Sequence, residues 1–589
     1  MRFEFIKINN LFTNTPKVSK LYQATDSRRK PGFTLCPEKL GIAAALLGLL
    51  AASPLPARVD PDTETDALRE SIRVEIELLR EPEVLSTGSV EIAAADLIAE
   101  VYERRGFAPA WTESRRIDSL LAAVHASFDD GLDPDDYHRS RIEEALAARA
   151  AGNAPSAKEL AVFDLMLTDS LVRLGYHERY GKVNPERLDP VWNFGRPLRG
   201  SDAAAVVEGV LAADDVGSAL RQLFPRGPVY ARLRDQLRIH REIAAAGGWP
   251  TVPDGPTLRP GTRDDRLQEL ASRLAASGDL GVSWQPADIT VYDETLQAAV
   301  RHFQERHGLD TDAIVGKRTL EALNVPVERR IDQIRLSLER ARWVAHNLEP
   351  DFVLVNVAGF VAYLVRDGEL AWSTRVVVGR TVTKTPLFRA TMKYVVFNPD
   401  WTVPWSIATK EILPAIRNDP AYLARNHYEI RNRDGNAVDP LTVDWSTITE
   451  RNFPFTVVQL PGPWNALGRV KFMFPNEHAI YLHDTPSRSL FDRAERAFSH
   501  GCIRVQEPLD FAERLLGRDG WTRERIDAQI ASGDTKTVLL SETLPVLLLY
   551  WTAEVDPDGH IHFYNDVYER DAAVLDALEA PFHLDLPGS

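Results

Sequence analysis

The chain has 589 residues, too many for one core, so roughly three to four domains are expected at about 150 residues each. Hydrophobic residues make up 44% and charged residues 26%, which excludes a mainly disordered chain and a polytopic membrane protein. The net charge of −16 argues against nucleic acid as a partner, because phosphate recognition needs clustered cations.

The first element is an apolar run at 40–52, LGIAAALLGLLAA. Arg28, Arg29, Lys30 and Lys39 precede it, and Ser53, Pro54, Leu55, Pro56 and Ala57 follow. A basic stretch, a short apolar stretch and a small-residue exit predict a secretory signal over 1–57, cleaved near Ala52 or Ala57. The run is short of the ~20 residues that span a bilayer, so membrane contact is expected only through this signal, or through an anchor if it is retained. The only cysteines are Cys36 and Cys502, too few for a disulfide framework or a Cys-rich zinc site. Cleavage would remove Cys36 and leave Cys502 alone in an oxidising compartment, which singles out Cys502 before any motif is read.

Residues 58–248 read as a helical scaffold. Ile92, Ala95, Leu97 and Val101 have apolar spacing, as do Leu120, Leu121, Val124 and Phe128, and again Leu160, Phe163, Leu167, Leu171 and Leu174. His125, His138 and His177 are expected to be packing or surface residues. Residues 249–262 are rich in proline and glycine and read as a linker or a long surface loop.

Residues 263–326 predict a small three-helix unit. Leu267, Leu270 and Leu274 share one helix face; Leu296, Val300 and Phe303 share a second; Thr319, Leu320 and Leu323 mark a third. Tyr292-Asp293, His307-Gly308-Leu309 and Leu323-Asn324 fall in the order of the three-helix peptidoglycan-binding module, which this unit resembles. A connecting helix is expected over 327–348, with Ile331, Ile334, Leu338, Ala341 and Ala345 on one face. From Phe352 the period changes to β-branched and aromatic runs separated by glycine, so 349–570 is expected to be a β-rich domain. A polar, partly helical insertion interrupts it at about 407–450. Residues 571–589 read as a C-terminal tail.

The chemistry is expected between His483 and Cys502. A nucleophilic cysteine needs a thiolate, and a nearby histidine supplies one by taking the proton. Gly501 lets the backbone approach a substrate, and backbone N–H groups at Gly501 and Cys502 are candidates for an oxyanion hole.

His483, fifteen residues, then Ser499-His500-Gly501-Cys502 resembles the signature of the L,D-transpeptidase catalytic domain. The stretches 461–476 and 397–407 also look like this family, in its large, multidomain periplasmic branch. The resemblance implies a multidomain α+β chain: a helical scaffold domain, a small three-helix peptidoglycan-binding domain, and a β-rich catalytic domain with a capping insertion. It implies a periplasmic enzyme forming 3→3 peptidoglycan cross-links. Cys502 would attack a donor stem and release D-alanine, a thioester would remain, and an amine of a second stem would resolve it. His483 would be the base, its ring oriented by a carbonyl or side chain near Asp484. His500, Gly501, Ser499 and Arg504 would support the substrate or the oxyanion. Arg504 stands where many relatives carry asparagine, and could contact a substrate carboxylate. No metal and no cofactor are expected; the partners are peptidoglycan stem peptides and glycan, with cell-wall synthases as further candidates. Two alternatives stay open: the same acyl-enzyme resolved by water or by a lipoprotein lysine, and a non-catalytic wall-binding scaffold. A carbapenem is expected to acylate Cys502.

Overall fold

The computed structural model describes residues 61–581, apart from 82–85, 88–89, 196–201, 226, 282, 347 and 420. The expected signal at 1–57, with Cys36, lies outside the described residues. Among the described residues no helix is long and apolar enough to cross a membrane.

The scaffold is built around the 24-residue helix Ala157–Tyr180. Ser156 and Glu159 close a capping box at its start, which satisfies backbone donors that a helix N-terminus leaves open. Helices Pro61–Leu79 and Ser114–Ala126 pack on it. It is buried on almost every face, and some of its polar residues pair inside the fold: Asp169 accepts from His138 at 2.8 Å and also pairs with Arg173. His177 is likewise buried, with Tyr137 Oη 3.1 Å from its Nδ1.

The small module has the three expected helices, Leu267–Ala276, Glu294–Arg306 and Lys317–Leu323, around Leu270, Leu296, Val300 and Phe303. The segment 249–262 is not a free linker. Val252 is fully buried in the module core, its N–H donates to Asn324 Oδ1 at 2.9 Å, and Leu258 pairs with Val315. The prolines there exclude helix, yet they do not stop the apolar residues between them from packing.

Helix Val327–Ala345 joins the parts. It packs against Ala157–Tyr180 and Pro228–Ala245 of the scaffold and carries a fully buried Glu339–Arg342 pair at 2.8 Å. It also packs against a helix, Asp571–Glu579, where the sequence reads as tail. Val574 and Leu578, four apart, are buried, and Asp571 pairs with Arg340 at 2.6 Å. The short segment has one apolar stripe, which needs this partner to form a helix.

The C-terminal domain is built on a nine-strand sheet. The strand Glu369–Gly379 pairs with Val361–Arg366 along its first half and with Ala497–Ser499 and Ile503–Val505 along its second. That double pairing curls the sheet and brings its ends together. Three short strands lie side by side within it: Val470–Met473, Leu482–His483 and Ile503–Val505. The insertion is wider than 407–450. It has its own four-strand sheet, from Trp401–Thr402 to Thr456–Gln459, and its own core of Ile412, Ile416, Leu423, Ile430, Trp445 and Val457.

Candidate active site

Strand register builds the site. His483 pairs with Lys471 on one neighbouring strand and with Arg504 on the other. Side chains alternate faces along a strand, so Tyr481 shares the His483 face and Cys502 shares the Arg504 face. Leu482, Phe472 and Ile503, which face the other way, are fully buried in the core. Five chemical residues thus converge on one side: Lys471, Tyr481, His483, Cys502 and Arg504.

The Cys502 thiol donates to the Ala479 carbonyl at 3.6 Å. Ala479 has φ +53°, a left-handed conformation that a residue with a Cβ rarely adopts. Asn476 holds it there. Its Nδ2 donates to the carbonyls of Phe474 and Ile480, each at 2.7 Å, and its Oδ1 accepts from the Ile480 N–H. Burial pushes the Cys502 thiol up; hydrogen bonds from the Tyr481 backbone and side chain, and the charges of Lys471 and Arg504, pull it back.

His483 is buried and its Nδ1 bonds the Asp484 carbonyl. A carbonyl only accepts, so Nδ1 carries the proton; the Leu467 backbone bonds the ring as well. Burial, then the Arg504 charge, lowers the imidazole pKa to about 3, with Lys471 adding to the effect. The ring is therefore neutral at physiological pH. The Asp484 carboxylate has a separate structural task, accepting from Arg469 at 2.9 Å and Arg488 at 3.0 Å.

The loop carrying Cys502 is pinned from several directions. Ser499 Oγ donates to the Cys502 carbonyl at 2.6 Å and accepts from the Gly501 N–H at 3.1 Å. Ser499 and the Gly501 donor are thereby committed within the loop rather than aimed outward. Thr385 Oγ1 donates to the Gly501 carbonyl at 2.7 Å and accepts from the Gly379 N–H at 2.9 Å. Tyr568 Oη donates to the Gly379 carbonyl at 2.6 Å. Gly501 has φ +121°, which requires glycine. His500 Nε2 lies 2.7 Å from Glu411 Oε1, in the insertion. Among the described residues, no group of three or more His, Cys, Asp or Glu side chains is placed to hold a metal ion.

Sequence reading missed Lys471, Thr385 and Tyr568 as site residues and gave Tyr481 no role. Tyr481 had a signal, its two-residue spacing from His483. Lys471 becomes visible only through register. Thr385 and Tyr568 reach the loop from distant parts of the chain and carry no local signal.

The comparisons with known proteins agree with this architecture. Residues 96–237 match a family described as a scaffold domain, 263–323 a peptidoglycan binding domain, itself provisionally named, and 350–538 the L,D-transpeptidase catalytic domain. Residues 350–538 are therefore a domain of the L,D-transpeptidase catalytic family, here joined to a scaffold and a peptidoglycan-binding module. A Haemophilus influenzae protein provisionally named an L,D-transpeptidase is 38% identical over 228 residues, which cover 38% of this chain. The match spans about half of that relative's length, 46%. Among solved structures, the L,D-transpeptidase of Xylanimonas cellulosilytica is 16% identical, with 50% of this chain and 99% of that one covered and a TM-score of 0.17. The avibactam carbamoyl enzyme of Ldtfm is 12% identical, covering 54% and 98%, with a TM-score of 0.14. Likeness that low carries no weight for fold or function.

Proposed function

We propose that the protein is a cysteine-dependent L,D-transpeptidase that forms 3→3 peptidoglycan cross-links. The observation that carries the reading is the convergence of Cys502, His483 and Tyr481 on one face of the L,D-transpeptidase catalytic domain. Cys502 Sγ attacks the carbonyl between the third-position diamino acid and the terminal D-alanine of a donor stem. The thiol proton passes to His483 Nε2 as the S–C bond forms, since the neutral imidazole is an acceptor. The tetrahedral oxyanion takes the Cys502 N–H, because the Gly501 N–H is held by Ser499. Collapse breaks the C–N bond, and the proton on His483 leaves with the D-alanine amine. An amine of a second stem then attacks the thioester, gives its proton to His483, and restores the thiol.

The peptidoglycan-binding module keeps the enzyme on its polymeric substrate, raising the local concentration of stems. An exported, periplasmic protein fits this substrate, with the 1–57 segment as the export signal. Cell-wall synthases are the candidate partners. The chemistry calls for no metal or cofactor.

Mass spectrometry of the protein with disaccharide-tetrapeptide, beside Cys502→Ser, tests the reading. Free D-alanine and a cross-linked dimer, both absent with Cys502→Ser, are expected. D-alanine without dimer would mean water or another acceptor. Neither a thioester nor D-alanine would leave a wall-binding scaffold as the better account.

A further inference from the structure

Two cations flank Cys502, and neither makes an ion pair among the described residues. Lys471 and Arg504 lie one strand to each side of His483, in register with it. Adjacent strands are about 4.8 Å apart, so their Cα atoms are roughly 10 Å apart, close enough for both long side chains to meet one small anion. Lys471 Nζ sits 4.0 Å from the Tyr481 ring centroid, above the residue that bonds the Cys502 sulfur. The charges that act on Lys471 are the Cys502 sulfur and, after it, Asp400; Cys502 is also the charge that acts on Arg504, whose Nε is buried with no hydrogen-bond partner. Among the described residues neither side chain makes an ion pair, although Arg469 and Arg488 nearby both bond Asp484.

Lys471 and Arg504 are half-buried, and drawing a cation partly out of water without an anion is costly. Burial pushes the Cys502 thiol up, so the sulfur gives these cations an anion only once it is deprotonated. His483 gives them none, since it is neutral or cationic. The missing charge therefore belongs to something that arrives.

We propose that Lys471 and Arg504 form a cradle for a substrate carboxylate, the terminal carboxylate of the donor stem, one residue beyond the carbonyl that Cys502 attacks. This rests on the transpeptidase reading and deepens it by naming what selects the donor. A carboxylate between the two cations places the scissile carbonyl beside the sulfur.

The test uses two donors on the full-length protein: disaccharide-tetrapeptide with a free C-terminal carboxylate, and the same compound as its C-terminal amide. The reading is the ratio of kcat/KM for acid over amide, followed by release of D-alanine or D-alaninamide. The wild-type ratio is expected to be about tenfold or more, the usual size of a charge-assisted contact. Lys471→Met and Arg504→Met should each collapse the ratio towards one, and Lys471→Arg should keep most of it. A structural defect would lower both rates together and leave the ratio intact. A second reading is the pH dependence of Cys502 alkylation by iodoacetamide, which reports thiolate formation without substrate. A ratio near one in wild type, or a ratio that survives both Met variants, overturns the cradle. Met variants that shift the alkylation profile while keeping the ratio would make these cations thiolate stabilisers instead. No D-alanine from the wild type would defeat the transpeptidase reading itself, a different failure.

Discussion

Thr385 satisfies two backbone groups at once, one on each side of the loop that carries Cys502. It accepts from Gly379 N–H and donates to the Gly501 carbonyl. Valine has the same shape but neither capacity, so Thr385→Val leaves a buried donor and a buried acceptor unpaired. Each such group costs about 1–3 kcal/mol. We expect a lower melting temperature and slower D-alanine release, measured by calorimetry and by product assay. Unchanged turnover would show that this bridge does not hold the loop. Gly379 is constrained still more tightly. A Cβ there would lie 2.1 Å from the Thr383 carbonyl oxygen and 2.8 Å from the Thr385 N, both backbone atoms that cannot step aside. Gly379→Ala should therefore destabilise by about 1–3 kcal/mol, as overpacking does, read as a drop in the denaturant midpoint. As candidates, Cys502 and His483 were legible in the sequence because their signal is local: a cysteine after glycine, and a histidine at the end of a β-rich run. Thr385 and Tyr568 were not, because a hydrogen bond across the fold leaves no trace in spacing.

The insertion is a separate element with its own sheet and core, and it touches the loop that carries Cys502 through His500 and Glu411. Glu411 sits on a single π-turn, Ala408–Ile412, an irregularity that often marks a functional position. An isolated, half-exposed pair contributes about 0–1 kcal/mol to overall stability. It can still decide whether a small element stays docked, because local opening draws on only a few contacts. Glu411→Ala should raise amide exchange across 405–418 while leaving the strands Val470–Met473 and Lys536–Leu549 unchanged. Equal exchange in both proteins would show that the insertion is held by its other contacts. The sequence marked this element by its polar, partly helical character but set its edges too narrowly. Trp401–Thr402 and Thr456–Gln459 are β-rich and read as part of the main sheet; which sheet a strand joins is decided by non-local pairing. The Asp571–Glu579 helix was hidden for a related reason, since its apolar stripe is stable only against Val327–Ala345.

At the scale of the molecule, three buried histidines tie folding to pH. His483 lies in the site, while His240 and His307 lie where the peptidoglycan-binding module meets the hairpin strand Ile561–Phe563. Burial lowers His240 to about 4 and His483 to about 3, and holds His307 well below its ordinary 6.5, with Arg330 and Arg306 adding to the effect on His307. A histidine depressed in the fold stays neutral there while the unfolded chain takes up a proton below pH 6.5. Its stabilising effect is full above that pH and is lost as pH falls from 6.5 towards its folded value. By pH 5 each such group costs about 2 kcal/mol. Buried carboxyls run the other way: Glu554 is raised by burial, so it binds its proton more readily folded than unfolded. The total pH slope therefore mixes signs, and the informative quantity is a difference. His307 stacks on Phe303 at 3.8 Å between centroids, a contact that phenylalanine can reproduce. His307→Phe loses the bond from Nδ1 to the Phe303 carbonyl, so it should be less stable at pH 7. Between pH 7 and pH 5, however, it should lose about 2 kcal/mol less than wild type, followed by denaturant midpoints with the module's exchange as the local probe. Parallel curves would mean that His307 is protonated in the folded protein at pH 5, and that the Arg306 and Arg330 charges beside it are offset by something other than burial of a neutral ring.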